Sequence, residues 1–117
     1  MDIAGYGNSK TKKLCQDIKY ARRNLPDNVS EKLHATINFI QNASTLYDVA
    51  CIPTYRLHPL TGKRNLELAI DLGKKSGYRI IIVPNPIIDS NVHDSDFHSK
   101  CKSVKSIIIK EVSNHYE

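Results

Sequence analysis

Asn65-Leu66-Glu67-Leu68-Ala69-Ile70-Asp71-Leu72 and, beyond a turn over Gly73 to Gly77, Tyr78-Arg79-Ile80-Ile81-Ile82-Val83 decide how this chain folds. In the first run Leu66, Leu68, Ile70 and Leu72 alternate with Asn65, Glu67, Ala69 and Asp71. That period of two predicts a half-buried antiparallel strand. The second run is apolar almost throughout and reads as a buried strand, with Arg79 its only charge. Pro84 and Pro86 are expected to stop the sheet, because proline cannot donate to a strand ladder. Lys105 to Val112, carrying Ile107, Ile108 and Ile109, predicts a further strand, and Asn85 to Ser103 between them reads as a polar loop.

Upstream the period changes to that of helices. Asp2 to Tyr6 predicts a short first strand, closed by Gly5 and Gly7. Asn8 or Ser9 is placed to cap a helix running to about Asn24, with Leu14, Ile18, Ala21 and Leu25 along one face. Its other face carries Lys10, Lys12, Lys13, Lys19, Arg22 and Arg23. Pro26 interrupts, and Asn28 with Glu31 forms a capping-box signature for a second helix bearing Leu33, Ile37 and Ile40. Two helices joined so closely predict an antiparallel hairpin. The class expected is α+β: an N-terminal strand and helical hairpin packed on a small antiparallel sheet.

The 117 residues suit one domain, because a division would leave two cores too small to hold together. No apolar run approaches the roughly 18 residues a membrane helix needs, and the first residues lack the basic and apolar regions of a secretory signal. Cys15, Cys51 and Cys101 are odd in number and scattered, which argues against a disulfide framework and suits a reducing cytoplasm. The Asn28 and Asn42 sequons then carry no glycan. Seventeen Lys and Arg against twelve Asp and Glu give a formal charge of +5, a surplus that permits attraction to a polyanion.

The stretch Tyr55-Arg56-Leu57-His58-Pro59-Leu60-Thr61-Gly62-Lys63-Arg64, with Leu66 to Leu72, Gly77-Tyr78-Arg79 and the final Asn114-His115-Tyr116, resembles the HigB-like killer toxins of the RelE/ParE superfamily. The resemblance implies a RelE-like fold and cleavage of messenger RNA on the ribosome. It also implies a HigA-like helix-turn-helix antitoxin that neutralises the toxin and alone brings it to operator DNA. This sequence carries Thr61 where relatives often have Lys, and has Asn-His-Tyr before Glu117 rather than a terminal Asp-Tyr-His.

Metal-independent RNA cleavage uses the 2′-hydroxyl as nucleophile on the adjacent phosphorus. One group must take its proton, another must protonate the leaving 5′-oxygen, and a cation must stabilise the phosphate. Imidazole, with an ordinary pKa of about 6.5, suits the first two tasks and guanidinium the third. By the resemblance, His58, Arg79, His115 and Tyr116 are the catalytic candidates. Arg56, Lys63, Arg64 and Asn114 are the RNA-binding candidates, and no cofactor or metal is implied. From the residues alone, Arg79 must face solvent, pair with an acid such as Glu67 or Asp71, or serve the phosphate. Arg64 has the same alternatives, and His58 has the alternative of holding the turn shaped by Pro59 and Gly62. His93-Asp94-Ser95-Asp96-Phe97-His98 gathers possible ligands but lacks a zinc-like second pair and reads as a solvated loop. His34 reads as a surface or boundary residue. Two other readings stay open: a ParE-like topoisomerase poison without chemistry, and a basic nucleic-acid-binding regulator.

Overall fold

A computed structural model describes residues 1–64, 66–73, 75–89 and 94–114. The chain starts with β1 (Asp2–Tyr6) and enters α1 (Ser9–Gln16), whose first turn is closed by the Asn8 carboxamide accepting the Thr11 N–H at 2.8 Å. The single helix expected to run to Asn24 is two. Asp17 leaves helical geometry at φ −122°, and its carboxylate accepts the Lys19 and Tyr20 N–H groups, capping α2 (Ile18–Asn24). A side chain able to satisfy the exposed donors of a helix start lets the backbone turn there.

α3 (Asp27–Asn42) begins directly after Pro26 with no side-chain cap, so the Asn28–Glu31 capping box does not form. Its Val29, Leu33, Ile37 and Ile40 are buried. His34 is half-buried, its Nε2 bonded to the Leu14 carbonyl at 2.8 Å, which ties α3 to α1. The short α4 (Leu46–Ala50), capped by Thr45, was not anticipated. The supposed loop after Pro86 contains α5 (Asp94–Cys101), anchored by buried Phe97 and Cys101 one turn apart. The reading of residues 93–98 as a solvated loop is therefore corrected: all but His93, which lies outside the described residues, belong to a helix. His98 is exposed, with its ring 6.4 Å from that of Tyr47.

The remaining elements are β2 (His58–Pro59), β3 (Leu68–Asp71), β4 (Tyr78–Asn85) and β5 (Ser106–Asn114). They build one sheet in the order β1-β5-β4-β3-β2. The sheet is mixed rather than purely antiparallel, since β1 runs parallel to β5. Pro84 does not end β4: it pairs opposite Ile107 inside the strand. The Tyr78 carbonyl accepts from the Leu72 N–H at 3.0 Å, so alternation turns the backbone groups of even-numbered β4 residues towards β3. β3 begins opposite Ile82, and at Pro84 no β3 carbonyl waits for the missing donor.

β3 is shorter than expected and buried on both faces, with Leu68, Ala69 and Ile70 inaccessible and Leu66 left 43% exposed. Leu68, Ile70, Ile80, Ile82, Ile107 and Ile109 join the helices in one core. No helix of the described residues is long and apolar enough to cross a membrane.

Candidate functional site

Alternation along paired strands sorts the polar residues onto one side of the sheet. His58 pairs with Ala69 and Ala69 with Ile81, while Asp71 pairs with Arg79 and Arg79 with Ser113. Ala69 and Ile81 are buried yet take no part in the core formed with the helices. His58, Asp71 and Arg79 thus share the face opposite the helical layer. Sequence reasoning gathered the same residues, but only the strand order shows that His58 and Arg79 lie on neighbouring rows of one face.

His58 is half-buried, and its Nδ1 lies 2.6 Å from the Arg56 carbonyl oxygen. A carbonyl only accepts, so Nδ1 carries the proton and donates it, leaving Nε2 as the nitrogen able to receive one. The carbonyl is aimed by a left-handed residue: Arg56 has φ +43° after the 3-10 turn Pro53–Tyr55. The Arg56 side chain is held in turn by Asp71, Nε to Oδ2 at 2.7 Å, and this contact raises the guanidinium pKa further above neutrality. Sequence reasoning missed this arrangement. It offered Asp71 to Arg79, and nothing in the local sequence signals a pair across fifteen positions.

Arg64 sits in a different setting. Its Nε bonds Glu67 Oε1 at 2.8 Å, its Nη2 bonds Glu111, and Lys110 reaches the other Glu67 oxygen at 2.5 Å. Burial alone would push the Glu67 carboxyl up, but the hydrogen bonds from Lys110 and Arg64 outweigh it and hold the group below its ordinary value. Glu67 is only 8% exposed, and its two cations explain how a carboxylate stays there. Of the alternatives left open for Arg64, the structural ion pair is the one the geometry displays.

With Glu67 and Asp71 occupied, Arg79 forms no ion pair among the described residues. Its Nε is shielded from solvent and has no hydrogen-bond partner among them. An unmet donor of this kind costs about 1–3 kcal/mol, and more when charged.

Lys63 is exposed on the 3-10 turn Gly62–Arg64. Asn114 closes β5 opposite Tyr78, one residue out of phase with Arg79, and so belongs to the helix-side row. His115 and Tyr116 lie outside the described residues. Among the described residues no group of three His, Cys, Asp or Glu is placed to hold a metal ion. Beside the site, α3, the Pro53–Tyr55 turn and the end of β3 enclose a groove of about 870 Å³. Compared with protein-family models, curated proteins and solved structures, the chain shows no match to any.

Proposed function

We propose that this chain is a HigB-like toxin of the RelE/ParE superfamily: a metal-independent endoribonuclease that cleaves messenger RNA on the ribosome and is neutralised by a HigA-like antitoxin. The observation that carries the reading is Arg79, a cation with a shielded, unmet donor on the same sheet face as an imidazole of fixed tautomer. A merely structural arginine on this strand would take one of the nearby carboxylates, and other cations hold both. The order of an N-terminal strand, helices and a following strand meander supports the RelE-like fold at the level of its elements.

In the proposed reaction, His58 Nε2 takes the proton of the 2′-hydroxyl as that oxygen bonds to phosphorus. The bond from phosphorus to the 5′-oxygen breaks, leaving a cyclic phosphate, and the leaving oxygen receives a proton. Arg79 neutralises the charge that builds on the phosphoryl oxygens. By the resemblance, His115 or Tyr116 supplies the leaving-group proton. Lys63 adds backbone affinity without sequence information.

The deciding experiment induces the gene alone and maps the 5′ ends of cellular mRNA. New ends and growth arrest, both absent with Arg79→Ala and suppressed by the co-expressed antitoxin, are the expected result. Soluble protein with intact mRNA and unimpaired growth would sink the reading.

A further inference from the structure

We infer that the groove beside the site holds an unpaired nucleobase of the substrate strand and favours bases carrying an exocyclic amino group. This deepens the ribonuclease reading and rests on it. The groove and the site share residues. Arg56 lines the groove, and its carbonyl orients His58; Asp71 lines it too, and pairs across the ladder with Arg79. Neighbouring strands lie about 5 Å apart, so the Asp71 end of the groove adjoins Arg79.

The lining suits a flat heterocycle between phosphates. Ala35, Pro53 and Leu72 form apolar walls beside the Tyr55 ring. That ring is braced edge-on against Phe39, with centroids 5.4 Å apart at 69°. Bases of single strands stack on such rings whatever their identity. Cations stand on opposite sides, Arg56 from the turn and Lys32 from α3. Lys32 reaches across so far that a β-carbon at Gly73 would lie 2.5 Å from its Nζ, and it forms no ion pair among the described residues. An apolar peptide or lipid chain would leave Lys32 without a counter-charge, whereas a nucleotide brings one with its ring; Arg56 already has Asp71.

Selectivity follows from Asp71. The contact with Arg56 uses Oδ2, and a carboxylate oxygen can only accept. Adenine, guanine and cytosine present amino donors to such an acceptor, while uracil presents carbonyl oxygens flanking one imino N–H. The volume, about 870 Å³, falls in the range of roughly 300–1,000 Å³ usual for small-ligand sites.

The test titrates the isotope-labelled full chain with 3′-AMP, 3′-GMP, 3′-CMP and 3′-UMP and follows amide shifts by NMR, alongside an RNA cleavage assay. The amides of Ala35, Tyr55 and Gly73 should move, with the three amino-bearing nucleotides binding several-fold tighter than 3′-UMP. Ala35→Trp, which fills the groove from an exposed helix position, should weaken binding roughly tenfold, as loss of a stacked base does, and erase the preference. Thr54→Trp does the same from the opposite wall and stands in should the first variant misfold. Arg79→Ala should weaken all four nucleotides alike and preserve their order. If the shifts cluster around His58 and Arg79 alone and ignore both tryptophans, the groove inference is overturned while cleavage still supports the ribonuclease. Groove shifts without any cleavage uphold the base site and reject the ribonuclease. No shift anywhere rejects the inference.

Discussion

Arg79 on β4 and Arg64 on the turn before β3 have opposite surroundings, and substitution separates them. Arg79→Ala orphans no carboxylate, so its thermal midpoint should stay within a few degrees of the parent while mRNA cleavage disappears. Arg64→Ala leaves Glu67 and Glu111 short of a cation. It should lower the midpoint more than Arg79→Ala while retaining cleavage, and a calorimetric scan beside a cleavage assay reads both. His58→Ala should slow cleavage by roughly 10²–10⁴-fold, the usual contribution of one proton-transfer group. The thiols give a check that does not depend on function. Burial pushes Cys15 up to about 12, and burial together with nearby Cys51 pushes Cys101 up to about 11, whereas Cys51 is exposed. Since the thiolate is the reactive form, one equivalent of thiol reagent should react with the native protein at pH 8, and three after denaturation. More than one fast thiol in the native state would contradict this packing.

Between α1 and α2 the chain depends on a single carboxylate. Asp17→Ala removes the acceptor for two N–H groups and should cost about 0.5–2 kcal/mol, read from urea midpoints, while Asp17→Asn should retain most of the stability. This break shows where sequence reading stopped. The stripe of Leu14, Ile18, Ala21 and Leu25 is continuous, and Asp17, lying off the stripe, looks like any surface residue until its side chain is seen to cap. β4 and β5 were legible because their apolar, β-branched runs admit few alternatives, and the short β1 was read from five residues closed by glycines. α5 was not, because only Phe97 and Cys101 of its eight residues carry the helical period. β3 looked one-sided because Ala69 counts as weakly apolar, although its row is covered as well. For the site, residue type made His58 and Arg79 candidates, and Arg79 was seen to need a partner or a purpose. Which acid belongs to which cation depends on the long-range register of β3, β4 and β5, and local spacing carries no record of that.

At the scale of the molecule, the charged lattice on the helix-free face should govern acid stability. The Glu67 carboxyl is held below the ordinary glutamate value in the folded chain. A depressed folded value means that its contribution is fully present above the unfolded pKa and is lost as pH falls through the folded one. Stability should therefore decline below about pH 4.5. Glu67→Gln should be less stable at pH 7 yet show a shallower fall on acidification, measured as urea midpoints between pH 7 and 3; an unchanged acid limb would show that other carboxylates dominate. The sheet carries a further consequence through its first strand. Asp2 pairs with Ser106, and Tyr6 with Ile109, so β1 is translated roughly 100 residues ahead of its partner strand. At about 5–20 residues per second, β1 waits on the order of 5–20 s before Ser106–Asn114 emerge to join it. Until then β4 lacks its longest neighbour, and the row of Arg79 and Ile81 has only one side. The hairpin that bears Arg79 is thus translated before the strand that frames it.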